Sequence, residues 1–236
     1  MSNSKALRIG SGENFKTSLR DNMADFLVRR NDDLQEFIVD GEHYLYVNFN
    51  EKKFKHTYLY SMVKRDMMEF YADRGAEILL PKLPSHLTNH KYDPKDDEMI
   101  GTDLNHAYWR IAYLMGKISE KTYKKGLEST DSNIKVARLS ALSVLGRVKT
   151  YERFIHGKFV ENVAIQKDKD LKNYYYNIRY YCYQCMWELS RMLGDDFHSY
   201  RVDCVYYRRT EENINMVETY LNERSLLFEH LVQITQ

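Results

Sequence analysis

From Lys169 to Leu193 the chain carries one unbroken run of helical periodicity, dense in tyrosine and closed by Gly194. Soon afterwards comes an extended aromatic segment, Tyr200 to Arg208. A long helix beside short strands and hairpins is the pattern of an α+β architecture. The chain holds 20 tyrosines in 236 residues. A tyrosine can pack a core with its ring and still present a polar tip. It can also stack on nucleobases, and the composition leaves both uses open.

The other elements follow from period and punctuation. The polar first dozen residues suggest an irregular, mobile start. Phe15, Leu19, Met23, Phe26 and Leu27 recur at helical spacing, which predicts a helix over 14–30. FIVDGEHYLYVNF predicts a hairpin turning at Asp40-Gly41. A second helix is predicted over 56–73, ending near Gly75, and AEILL predicts a short buried strand. Residues 81–98 hold all three prolines and predict a loop. That loop is the expected break between a helix/hairpin/helix region, 1–95, and a core, 96–236. In the core, a strand running into Asp103 is expected to give way to a helix carrying Tyr108 and Ile111. Further helices are expected to start at Ser119-Glu120 and to span Ser132–Leu145, stopping at Gly146. A second hairpin should turn at His156-Gly157. YRVDCVYYR predicts a single strand, with Arg201, Asp203 and Val205 on one face, and a terminal helix should begin near Thr210.

Bulk properties exclude several classes. A net charge of +1 provides no global basic field, so any nucleic-acid contact must come from local patches. Three cysteines make no disulfide framework, and the Cys182/Cys185 pair lies inside a helical pattern with no second pair, which argues against zinc. These features and the absence of an apolar leader or an 18-residue apolar run predict a cytoplasmic protein without a membrane span. Neither a P-loop nor a Gly-x-Ser-x-Gly turn occurs.

The residues that could carry chemistry are few. Asp103, where a strand yields to a turn, is placed either to ligate a metal or to cap the next helix. Asp203 sits among apolar and aromatic residues, where an aspartate is disfavoured. It needs a cation, a hydrogen-bond network or an exposed face. Lys135 and Arg138 lie about one helical turn apart. They form either a triphosphate grip or a solvated basic face. His106, beside Asp103, is either a proton donor or a hydrogen-bonding residue.

Taken together, three segments resemble the A, B and C motifs of family B DNA polymerases, especially the small protein-primed polymerases of phages. Asp103 and Tyr108 keep the spacing of the first motif, Asp-x-x-Ser-x-Tyr-Pro, with His106 and Trp109 at its Ser and Pro. In the second, Arg138 stands for the Lys, Leu142 for the Asn and Leu145 for the Tyr, while Ser143 and Gly146 are kept. Tyr200 and Asp203 answer to the tyrosine and last carboxylate of the third, Tyr-x-Asp-Thr-Asp-Ser. Arg201 lies close to the place of its first Asp, and Cys204 differs. The resemblance covers roughly residues 99–208.

The resemblance implies a polymerase-like palm with a small antiparallel sheet, packed helices and a minimal helical fingers element, lacking the exonuclease and a full thumb. It implies that Asp103 and Asp203 bind Mg²⁺ or Mn²⁺ and that Tyr108 lies under the deoxyribose. Lys135 and Arg138 would grip the triphosphate, and Gly146 would admit the nascent base pair. The implied partners are a DNA primer–template, dNTPs and a subunit supplying a thumb or processivity. Two other readings stay open: a non-catalytic, palm-derived nucleic-acid binding or replisome module, and an unrelated Tyr-rich structural protein.

Overall fold

The computed structural model describes residues 5–9, 12–31, 34–47, 58–91, 98–128, 132–166 and 169–231. In chain order its elements are β1 (Lys5–Ile9), α1 (Glu13–Asp21), β2 (Phe26–Asn31), β3 (Leu34–Val39), β4 (Glu42–Val47), α2 (Tyr58–Arg74), β5 (His86–Thr88) and β6 (Met99–Leu104). There follow α3 (Ala107–Leu114), α4 (Glu120–Leu127), α5 (Ser132–Ser143), β7 (Val148–Ile155), β8 (Lys158–Gln166), α6 (Lys169–Leu193), β9 (Phe197–Arg201), β10 (Cys204–Arg208), α7 (Glu211–Glu223) and β11 (Phe228–Leu231). The chain is α+β and divides into two compact units, 1–55 with 147–168 and 56–146 with 169–236. The division differs from a single break near residue 95, because the β7–β8 hairpin pairs with N-terminal strands through β2.

The first unit is a six-stranded sheet in the order β1-β4-β3-β2-β7-β8, antiparallel except for the parallel β1–β4 pair. Alternating residues Phe26 and Val28 join Phe37, Tyr46 and Phe154 in one apolar cluster, and Phe15 and Leu19 of α1 pack against it. Two findings correct the sequence expectations. Residues 5–9 form β1, a pairing with a partner distant in sequence that local polarity does not reveal. The helix over 14–30 ends at Asp21. Met23 turns left-handed at φ 52°, and Phe26 and Val28 then follow the strand period. Both hairpins turn where expected, with positive φ at Asp40-Gly41 and at His156-Gly157, the backbone that two-residue turns favour.

The second unit is built on a five-stranded antiparallel sheet, β11-β6-β10-β9-β5. Helix α6 packs against β9 and β10. Leu171, Tyr174, Ile178, Cys182, Met186, Leu189 and Leu193 form its buried stripe, spaced three or four residues apart as a core-facing helix requires. The expected strand AEILL is absent. Residues 75–84 form an irregular strap, and Ile78 is 87% exposed. Asn173 and Asn177 of α6 donate to the Glu77 and Ile78 carbonyls, and Asn177 Oδ1 accepts from Leu80 N. The asparagines thus replace a strand neighbour for this backbone. Within the proline-rich stretch, β5 pairs with β9, and 92–97 lie outside the described residues.

Candidate functional site

YRVDCVYYR does not form one strand. It forms the end of β9, a two-residue turn at Val202-Asp203, and β10. Val202 adopts φ 59°, a left-handed conformation that β-branched residues rarely occupy. It is held there by Val202 N donating to Ser85 O (2.7 Å) and by the Cys182 thiol, which approaches Val202 O at 3.6 Å. The turn puts Asp203 at a hairpin tip rather than on a strand face. The neighbouring strand β6 brings Asp103 alongside, opposite Cys204, and Leu104 N donates to Asp203 O at 3.0 Å.

Both aspartates line one cavity of about 510 Å³, together with Tyr108, Lys135, Arg138 and Glu229. Burial and the facing Asp103 carboxylate push the Asp203 carboxyl up to about 6, against a pull downward from Lys135. Burial and Glu229 likewise raise Asp103. Two like charges in a partly desolvated place favour the protonated form. A cation between them would relieve the same repulsion.

The basic residues divide their work. Arg138 is buried at 6% exposure, with Nη1 donating to Gly126 O (2.6 Å) and Nη2 to His106 Nδ1 (3.1 Å). Arginine has no acceptor, so His106 Nδ1 must accept, leaving a neutral ring with its proton on Nε2. Burial and the cations Arg138 and Lys135 accordingly lower the His106 pKa. His106 therefore serves as a hydrogen-bonding residue and is poorly suited to giving up a proton at neutral pH. Its left-handed backbone, φ 57°, starts α3. Lys135 is exposed on α5.

Tyr108 sits on α3 with its hydroxyl 3.0 Å from that of Tyr183 on α6. Tyr183 in turn accepts from Arg179 Nε and Nη2, at 3.2 and 2.9 Å. Gly146 is not among the cavity's lining residues. A Cβ there would collide with the Tyr175 ring and press on Tyr176, so close packing on α6 accounts for this glycine.

Glu229 was missed by sequence reasoning. It reaches the site through β11, which pairs with β6 so that Glu229 lies opposite Asp103. Among the described residues no group of three or more His, Cys, Asp or Glu is arranged to hold a metal by itself. Two carboxylates suit a hard cation such as Mg²⁺, which keeps waters and takes further oxygens from substrate phosphates. Among the same residues no helix is long and apolar enough to cross a membrane. Models of known protein families, characterised proteins and solved structures give no match to this chain, so its activity has to be argued from the chemistry of this site.

Proposed function

We propose that the chain is a template-directed nucleotidyltransferase, a compact relative of family B DNA polymerases built on a palm with a minimal fingers element. The observation that carries this reading is the pairing of Asp103 with Asp203 in one cavity, the second raised to about 6 by burial and the facing like charge despite the nearby Lys135. Strongly perturbed carboxylates in a cleft mark functional positions.

Asp103 and Asp203 would hold Mg²⁺ or Mn²⁺, which supplies activation of a primer 3′-hydroxyl and neutralisation of triphosphate charge. The protein's own residues do the positioning. Lys135 presents an exposed ammonium to phosphate oxygens. Arg138 fixes His106 and the Gly126 carbonyl, and so supports the cavity wall from within. Tyr108 offers a ring to the sugar of a dNTP while its hydroxyl is tethered to α6. A primer–template would be the polymeric substrate, and a further subunit would supply the grip of a thumb, since phosphate contacts dominate affinity for DNA.

Extension of a labelled primer–template with dNTPs and Mg²⁺ or Mn²⁺, comparing wild type with Asp203→Asn, tests the reading. Loss of at least about a thousandfold in the variant is expected if the metals contribute several kcal/mol. No extension by a folded wild-type protein that still binds DNA would leave a non-catalytic nucleic-acid module.

A further inference from the structure

A second cavity, about 270 Å³, lies between the strap and α6, lined by Leu79 to Leu83, Ser85, Tyr176, Arg179, Tyr180 and Tyr183. Arg179 is its central feature. The guanidinium lies 5.7, 5.8 and 5.5 Å from the ring centroids of Tyr175, Tyr176 and Tyr183. Its Nε and Nη2 donate to the Tyr183 hydroxyl. Among the described residues no carboxylate forms an ion pair with Arg179 or with the exposed Lys82 on the opposite wall. The wall itself is fixed. Asn177 and the buried Lys117–Glu77 pair hold the start of the strap, and Tyr200 Oη donates to Pro84 O at its far end (3.0 Å).

Two hydrogen bonds link the lining of this cavity to that of the carboxylate site. Tyr183 lines the first and is bonded to Tyr108 of the second. Ser85 lines the first and accepts from Val202, beside Asp203. Stackable rings next to cations that pair with no carboxylate among the described residues are the elements with which proteins hold unpaired nucleotides: the rings take bases and the cations take phosphates.

We propose that this cavity is a subsite for one nucleotide of single-stranded nucleic acid, with the base against Tyr180 and Tyr176 and the phosphate at Arg179 and Lys82. The inference deepens the polymerase reading by placing an unpaired stretch of polynucleotide next to the aspartates. A free nucleotide shares the same chemistry, and the test separates the two sources.

Anisotropy of a fluorescein-labelled oligothymidylate is measured without divalent metal for wild type, Lys82→Ala, Tyr180→Ala and Tyr180→Phe, with unlabelled dTMP as competitor. Primer extension is measured on the same proteins. The expected result is roughly tenfold or greater weakening in Tyr180→Ala, several-fold weakening in Lys82→Ala that fades at high salt, near-wild-type binding in Tyr180→Phe, and poor competition by dTMP. Unchanged binding in Tyr180→Ala and Lys82→Ala overturns the subsite, as does a wild type that binds no oligonucleotide. Competition by dTMP as effective as by the unlabelled oligomer overturns the polymeric ligand. Tyr180-dependent binding without extension by wild type would sink the catalytic reading and leave the subsite standing. Extension with Tyr180-independent binding would do the opposite.

Discussion

Each unit carries a carboxylate at least partly withdrawn from water, and the two surroundings treat it in opposite ways. In the first, Glu36 is 1% exposed on β3. Burial alone would raise its pKa, but Lys149 Nζ at 2.7 Å and Tyr151 Oη at 2.9 Å bring it down to about 2. Arg29 and His43 stand at 3.9 and 3.4 Å without making good hydrogen bonds. In the second unit Asp203 faces another carboxylate and rises to about 6. The first charge is neutralised by the chain itself, which is how a structural ion behaves. The second has a like charge facing it and the pull of Lys135 against it, which fits the cation-binding role proposed for it. On the proposed reading, Glu36 is kept for stability and Asp203 for binding.

The largest expected effect comes from unbalancing the first. Lys149→Met should cost about 3–5 kcal/mol, because it strands a buried charge. Urea unfolding followed by far-UV circular dichroism measures it. Both tryptophans, Trp109 and Trp187, lie in the second unit, so tryptophan emission reports that unit separately. A loss below about 1 kcal/mol would mean that Arg29 and His43 suffice, and that Glu36 is not held by one partner.

Acid should separate the two carboxylates by sign. Glu36 has a folded pKa of about 2 against the usual 4.5. Its contribution, about 3 kcal/mol, is present above roughly pH 4.5 and lost as pH falls toward 2. Asp203 has a folded pKa of about 6 against 3.8. It penalises the folded state above pH 6, and the penalty fades as pH falls through that window to 3.8. Between about pH 6 and 4.5 the second unit should therefore become more stable while Glu36 changes little. Urea midpoints read by tryptophan emission that fall over this range would show that Asp203 does not destabilise the folded state at neutral pH.

Removing the Asp203 charge should reproduce that gain at neutral pH. Asp203→Asn is expected to stabilise the metal-free protein by on the order of 2 kcal/mol, part of the full shift being screened by water. The same variant should lose the stabilisation that Mn²⁺ gives wild type, about 2.7 kcal/mol at a hundredfold excess over Kd. Differential scanning fluorimetry with and without Mn²⁺ reads both. A variant less stable than wild type without metal would mean that Asp203 is held by the fold rather than strained by it.

How much of this was legible depended on whether the signal was local. The α6 stripe, the Asp40-Gly41 and His156-Gly157 turns and the Ser119 and Thr210 caps all lie within a few residues of their cause, and the sequence predicts them. The Val202-Asp203 turn has no glycine or asparagine, and strand formers flank it. Bonds with Ser85, Cys182 and Leu104, all distant in sequence, help to hold it. Ile78 and Leu79 are apolar enough to suggest burial, but the asparagines that shape their strap lie about a hundred residues away. Of the site, Asp103, Asp203, Tyr108, Lys135 and Arg138 do meet in one cavity. Glu229 was invisible because its place depends on the register of β11 against β6.

That register sets up the smallest effect and the finest division of the second unit. Glu229 lies opposite Asp103, and its charge helps to raise the Asp103 carboxyl. If Glu229 acts only by repulsion, Glu229→Gln should stabilise the metal-free protein by less than about 1 kcal/mol, since the group is exposed. It should then also weaken Mn²⁺ slightly, through the lost negative field alone. If its carboxylate touches the metal or a metal-bound water, the weakening should reach about 10-fold or more, the scale of a lost outer partner. Mn²⁺ titration by calorimetry distinguishes these. A tenfold weakening with no change in metal-free stability would extend the like-charged pair to three carboxylates. Stabilisation with nearly unchanged affinity would confine it to Asp103 and Asp203, and the contrast with Glu36 would then rest on two residues meeting at one hairpin tip.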